Sequence, residues 1–548
     1  MLLSLLQPLE QTGFQTVLAD LGVAQPGDRY TDAQLRLSLV LLNVWGVLRM
    51  AHINDQPIES WGVILDASRR PDGDTLDKYL NAIIQQDQAE AEMPSGAVLP
   101  GQARPGGLIE TAQLKSLVGW AQAGRLKDEV WDFDGHIIEY TGQADIGKTK
   151  HGTKEKSVKA VKRSTLYNGM AAYSLYVPAS VTFAEALRHM LTQANAVLPP
   201  ACRIRKLAFD REGWDADLLH WLEREQDMIP LTWVKATAPN RQLLDEVPPS
   251  EFVPMEGEIS VGKDEACVQV ARIADTQVTF PDLGQRRVLV LETKAGTRIG
   301  LYTTARRPGE ATLDDERAMT TVGLLNAMRF KQRIENGFKV EKHEMDSDAI
   351  PTHTVHDVLQ TEPYDVQQAQ RSLAHAEKRL HKYADQDEQH QHLLIEGQLD
   401  THEFNILRQR TQRLRKQTER EIDKLKAELD SLEVDQDGQA VRSYTTQVLD
   451  VRKLTLLNLF KTHALVALCL LAQHLGLAGA GPTRLRREFL PFGDRVELDH
   501  PRRIATVYAQ RFPRRQTQQA YERLCASLND LPVTFKRNGT SYRVLFSW

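Results

Sequence analysis

Two aspartates and a glutamate stand out by their settings. Asp134 and Asp210 each follow a short apolar run and precede a nearby glycine, in Phe133-Asp134-Gly135 and Phe209-Asp210-Arg211-Glu212-Gly213. Glu335 lies in the stretch RFKQRIENGFKVEK, with Arg329, Lys331, Arg333, Lys339 and Lys342 around it. Cations so placed keep a carboxylate ionised and attract anions. Carboxylates at the ends of neighbouring strands point into one crevice, and they supply the hard oxygen ligands that Mg²⁺ takes while leaving places for water and phosphate. Two such ions activate a water or 3′-hydroxyl and stabilise the leaving oxygen of a phosphodiester. Each residue alone has a plainer use. An aspartate after a strand starts a turn or caps a helix, and a charged helix face is often merely solvated. The combination of three is what points to chemistry. No His/Cys cluster competes as a metal site, and no GxxxxGK[ST] loop implies nucleotide hydrolysis.

The elements that must position these carboxylates are legible as changes of periodicity. Residues 128–235 alternate strands and helices. Val130–Phe133 reads as a strand running into an Asp134-Gly135 turn, with His136–Tyr140 as its hairpin partner. A basic segment follows, including Lys148, Lys154, Lys156, Lys159, Lys162 and Arg163, without a clean helical face. It is either a solvated loop or a phosphate contact. Ala171–Val177 is a strand, Phe183–Leu198 a helix, Lys206–Phe209 a strand ending at Asp210, Asp215–Glu225 a helix and Ile229–Val234 a strand. Residues 236–300 read as a β-rich insertion, and residues 301–345 return to the core with a Glu335-bearing helix starting near Asp314. Outside this core, residues 1–95 are helical and 96–127 form a Pro- and Gly-rich linker with a lead-in helix. Residues 364–434 pattern as two charged helices in an antiparallel hairpin, and 440–548 as a helical region ending in a β-hairpin across Asn538-Gly539.

Composition narrows the class. The chain has 548 residues, 41% hydrophobic and 26% charged, with a net charge of −5. That is ordinary for a soluble protein with several domains, and any surface for nucleic acid must be local. Four cysteines, at 202, 267, 469 and 525, show neither CxxC spacing nor a disulfide framework, as expected of reduced thiols in a cytoplasmic protein. Leu454–Leu475 is the most hydrophobic stretch, but Lys461, His463 and His474 interrupt it, so a buried helix is expected and no membrane span.

Three strands, a helix, a strand carrying Asp210 and a later helix carrying Glu335 follow the order of a ribonuclease H-like nucleotidyl-transfer core. The chain resembles bacterial insertion-sequence DDE transposases of the group with a Y-(2)-R-(3)-E-(6)-K signature. Aligned on Glu335, Lys342 takes the lysine place, Lys331 the arginine place and Met328 the tyrosine place. Ile334-Glu335-Asn336-Gly337-Phe338-Lys339 and the contexts of Asp134 and Asp210 also resemble that family, which carries a β-rich insertion between the second aspartate and the glutamate. The resemblance implies an α/β fold with a ribonuclease H-like core interrupted by that insertion. It implies that Asp134, Asp210 and Glu335 hold two Mg²⁺ ions, for which Mn²⁺ can substitute. By position, Lys331 and Lys342 would contact phosphate near the transposon end, and the chain would act as a homodimer on transposon ends and target. Arg333 and Lys339 of the same stretch and Lys154 and Lys156 of the basic segment are further candidates for DNA contact. No tryptophan occurs between 234 and 547, so a base-stabilising tryptophan from the insertion is not expected. Asp132 is the rival to Asp134, since alternation puts both on one face. Two other readings fit parts of the pattern: a transposase-derived DNA-binding protein without catalysis, and a ribonuclease H-like nuclease.

Overall fold

A computed structural model describes residues 8–24, 28–46, 50–55, 64–67, 69–89, 107–144, 146–151, 156–254, 260–261, 268–308, 316–330, 340, 355–363, 365–434, 440–477, 481–489, 495–508, 518–520, 522–523, 525–526, 534–537 and 540–547. The chain divides into two units. The first comprises Met1–Gln143, Gly147–Thr354 and Leu449–Trp548, and the second Ala144–Ile146 and Val355–Val448.

In the first unit, the N-terminal residues form helices α1 (Asp32–Trp45), α2 (Gly73–Ala89) and α3 (Leu108–Gln122). Thr31 and Gln34 close a capping box at the start of α1, satisfying amides that the first turn leaves open. The sheet then begins with β1 (Trp131–Glu139), β2 (Lys148–His151), β3 (Lys156–Tyr167) and β4 (Ala171–Pro178). Next come α4 (Phe183–Val197), β5 (Lys206–Phe209), α5 (Ala216–His220) and β6 (Ile229–Trp233). After α6 (Ala238–Asp245) come β7 (Val253–Pro254), β8 (Ser260–Val261), β9 (Val268–Phe280), β10 (Gly284–Thr293) and β11 (Arg298–Thr303), then α7 (Thr321–Phe330).

These strands make one large mixed sheet. Its path runs β2-β3-β1-β5-β6-β11-β10-β9-β7, with β4 on β3 and β8 on β9. β1, β5 and β6 are parallel to one another, and β1 pairs antiparallel with β3. Three sequence expectations change here. Asp134-Gly135 is no turn: β1 continues through both residues to Glu139, with Gly135 opposite Ser164. The basic segment is no irregular loop, because β2 and the first half of β3 pair with Lys148 opposite Lys159 and His151 opposite Lys156. The strands expected as an insertion are continuous with the core sheet, since β11 pairs antiparallel with β6, Leu301 opposite Trp233. The run Val288–Leu291 explains this. Val288 and Val290 enter the core on one face and Leu289 and Leu291 the core on the other, so that strand must be covered on both sides.

The second unit holds β12 (Val355–Pro363), α8 (Val366–Ile395), α9 (Thr401–Asp430), β13 (Glu433–Val434) and β14 (Ala440–Leu449). The helices form the expected antiparallel hairpin, with Asp365 and Asp400 as N-caps, and the strands a small sheet in the order β12-β14-β13.

The chain re-enters the first unit at α10 (Arg452–His474), followed by α11 (Pro482–Phe489) and β15 (Arg495–Asp499), β16 (Ile504–Tyr508), β17 (Thr534–Arg537) and β18 (Thr540–Ser547). Among the described residues α10 is the helix apolar and long enough to cross a membrane, yet 72% of its most apolar window is buried in protein. Leu456, Phe460, Leu468 and Leu471 share a core with Leu39, Leu41, Leu80 and Ile83. The last two strands make the expected terminal hairpin, Arg537 opposite Thr540, which leaves a two-residue connection.

Candidate active site

Register aligns the strands that carry the two aspartates. On the parallel strands β1 and β5, Trp131 faces Leu207, Asp132 faces Ala208 and Phe133 faces Phe209. Asp134 is the next residue on β1, and Asp210 is the first residue past the end of β5. Phe133 and Phe209 point into the core that also holds Leu166, Tyr173 and Leu187. Alternation therefore puts Asp132, Asp134, Ala208 and Asp210 on the opposite face, and adjacent strands are about 4.8 Å apart. Ala208 marks that face, packing with Leu231, Leu324, Leu325 and Met328. Leu324, Leu325 and Met328 belong to α7, so that helix packs on the side of the sheet that Ala208 marks.

Local structure orients each carboxylate. Asp134 is half-buried and its Oδ1 accepts the Gly135 amide at 2.9 Å. Asp210 is exposed, and its Oδ1 accepts the Arg211 amide at 2.9 Å, capping the short turn Arg211–Gly213. That turn closes because Gly213 has no side chain. A Cβ there would lie 2.6 Å from both the Phe183 and Phe209 rings, and Phe183 also packs edge-on against Phe133 at 4.9 Å. The glycine after Asp210 is thus a packing requirement. Asp132, the rival, is buried, while Asp134 is more open.

Polar neighbours extend the site across the sheet. Thr165 lies opposite Asp134 on β3 and is fully buried, and its hydroxyl meets Ser174 Oγ on β4 at 2.9 Å. His136 faces Arg163, which is buried. Sequence reading took Arg163 as part of a basic segment and missed Thr165 and Ser174. Alternation along β3, once β1 is known to continue, is the signal that finds them.

A second network fixes α7 at its start. Buried Arg287 donates through Nε and Nη2 to Asp275 Oδ1 and Oδ2 at 2.9 and 2.6 Å, and through Nη1 to the Met319 carbonyl at 2.9 Å. Thr321, the first residue of α7, donates to Asp275 Oδ2 at 2.7 Å, and Thr320 Oγ1 accepts the Gly323 amide at 2.9 Å. Burial pushes the Asp275 carboxyl up, but hydrogen bonds from Arg287, Thr321 and Arg307 outweigh it and hold the group below the usual carboxylate range. The helix begins at Thr321, seven residues later than Asp314, because this network and the Thr320 cap terminate the preceding chain there.

Of the other expected residues, the structure describes Lys156 and Met328. Glu335, Lys331, Arg333, Lys339, Lys342 and Lys154 lie outside the described residues. Lys156 is exposed at the start of β3, nine residues before Thr165, or roughly 30 Å along an extended strand. Met328, at the signature's tyrosine place, is core. Among the described residues no group of three His, Cys, Asp or Glu side chains is placed to hold a metal. Asp134 and Asp210 each accept a backbone amide through Oδ1, and carboxylate oxygens are the ligand type that Mg²⁺ takes beside water and phosphate.

No protein-family model and no curated protein matches the chain. Among solved structures, the piggyBac transposase in a synaptic complex with hairpin DNA is similar, at 9% identity and a TM-score of 0.33. The alignment covers 61% of this chain and 67% of that one, a likeness too distant to carry residue roles.

Proposed function

We propose that the chain is a DNA transposase of the DDE type, cleaving phosphodiesters at element ends and transferring the strand to target DNA with a ribonuclease H-like core. The observation that carries this reading is the parallel register of β1 and β5, Phe133 opposite Phe209, with Asp134 and Asp210 each one residue further on; Glu335 follows α7 in sequence. Three antiparallel strands, a helix and two parallel strands, with β1 central among them, support it.

In this reading Asp134 and Asp210, with Glu335 as third ligand, would hold Mg²⁺, or Mn²⁺ in its place. When bound, the metal polarises the phosphodiester and lowers the pKa of an attacking water or hydroxyl. The protein's own part is positional. The Gly135 and Arg211 amides fix both carboxylates before substrate arrives, so little reorganisation remains for the reaction. Lys331, Arg333, Lys339 and Lys342 follow α7 in sequence and would meet the DNA backbone beside the site, while Lys154 and Lys156 would meet it further along the β2–β3 ribbon. Two copies of the chain would hold two ends together.

The test is metal-dependent cleavage and strand transfer on a DNA end by the wild type and by Glu335→Gln. Cleavage that vanishes in Glu335→Gln, with DNA binding intact, supports the reading. Undiminished cleavage removes Glu335 from the site. DNA binding without cleavage in any divalent metal favours a transposase-derived binding protein, and cleavage without strand transfer favours a nuclease. Sedimentation of a monomer with DNA ends bound counts against the dimer.

A further inference from the structure

We propose that the outward face of α9, in the helical hairpin, binds the sugar–phosphate backbone of a nucleic-acid duplex without reading its sequence. The inference deepens the nucleic-acid reading above by naming the surface, and it rests on that reading for its partner.

α9 buries Phe404, Thr411, Thr418 and Ile422, a seam at spacings of seven, seven and four that faces α8. On the other side a shallow groove is lined by Gln409, Gln412, Arg413, Lys416, Gln417 and Arg420, all exposed. Spacings of three and four place these six on one helix face. That face contains cations and amides and no carboxylate. Several cations elsewhere on the hairpin are paired: Arg379 with Glu421 at 2.7 Å, Arg415 with Glu419 at 3.0 Å and Lys426 with Glu377 at 3.3 Å. Arg413, Lys416 and Arg420 have no carboxylate partner among the described residues.

A row of unpaired cations on a charged helix has a self-repulsion that a polyanion relieves. From Gln409 to Arg420 the face is about 17 Å long at 1.5 Å per residue, room for about three phosphates of one strand. Glutamine amides and arginine forks are both donors to phosphate oxygen. The face has no aromatic residue to stack on an unpaired base, which favours a duplex backbone over single strands.

The experiment is duplex binding by the full chain against salt concentration, without divalent metal, using a short duplex that lacks any element end. Arg413→Gln/Lys416→Gln/Arg420→Gln should weaken binding and reduce the slope of log K against log[salt] by one to about three, since each phosphate contact contributes about 0.9. A charge-matched control, Arg371→Gln/Lys378→Gln/Lys382→Gln on α8, should leave the slope close to wild type. Gln409→Lys/Gln412→Lys should steepen it, a gain that misfolding cannot mimic. An unchanged slope in the first variant, or an equal loss in the control, overturns the proposal. Because no metal is present, inactive Asp134 or Asp210 variants that bind duplex normally would leave this surface standing even if the catalytic reading fails.

Discussion

Asp134 on β1 and Asp210 at the end of β5 each lie one residue beyond the matched pair Phe133 and Phe209 of these parallel strands. The two need not be equivalent in the fold. Asp134 lies within a continuous strand, whereas Asp210 caps a turn, and this difference makes one of them a clean probe.

Asp210→Asn should abolish metal-dependent cleavage with little effect on stability. Asparagine caps as well as aspartate, so the turn at Arg211 persists and only the anionic ligand is lost. Removing partners outside the first coordination shell already costs about 10–100-fold, so the loss here should exceed about 100-fold. Asp210→Ala should lose the cap as well, at about 1 kcal/mol. Full cleavage by Asp210→Asn, measured in single turnover, would reduce Asp210 to a capping residue.

Gly213→Ala should damage the site through packing. The added methyl meets the Phe183 and Phe209 rings at 2.6 Å, closer than real Cβ contacts allow, and the rings are pinned by the core around Phe133. Overpacking of this kind costs about 1–3 kcal/mol. It should push the Asp210 turn outward, lowering cleavage while leaving duplex binding unchanged. A melting temperature equal to wild type would mean that the turn relaxes freely.

Asp275 and Arg287 control where α7 starts. Arg287→Ala leaves the Asp275 carboxylate without its bidentate partner and frees three backbone carbonyls, those of Ala305, Arg306 and Met319. Removing one partner of a buried pair costs about 3–5 kcal/mol, which denaturant titration would register. The folded carboxyl titrates below its unfolded value, so its contribution is present above the unfolded pKa and is lost as pH falls through the folded one. Asp275→Asn should therefore flatten the acid limb of stability below about pH 4.

Much of this was legible in sequence because local patterns decided it. The Phe-Asp contexts, the α8–α9 hairpin, the buried α10 and the terminal β-hairpin follow from periodicity and turn chemistry. The misses are all non-local. Asp134-Gly135 carries a turn signal, but β3 supplies a partner along its whole length, and pairing overrides the local preference. Val288–Leu291 is as apolar as any core strand, yet only the pairing of β11 with β6 reveals that it extends the same sheet. The Arg287–Asp275–Thr321 network joins residues far apart in the chain, and nothing in the composition of any one segment announces it.

His463 offers a test of the helical core that does not depend on any reading of function. It lies on α10, fully buried, with its Nε2 3.0 Å from Ser116 Oγ and its ring 5.3 Å from that of Trp120. Burial lowers its pKa to about 3, because a charged imidazolium cannot be solvated there. In the unfolded chain the same group titrates near 6.5. As pH falls through that window the unfolded state takes up a proton that the folded state refuses, so stability is lost from about pH 6.5 downward, by up to about 1.4 kcal/mol per unit. His463→Gln keeps a side chain able to reach Ser116 and removes the titration. Its melting temperature should be lower than wild type near neutrality, from imperfect packing, but should decline less steeply between about pH 6 and pH 4. Parallel declines in the two proteins would show that the ring accepts its proton in the folded state, and that the contact between α3 and α10 is open to water.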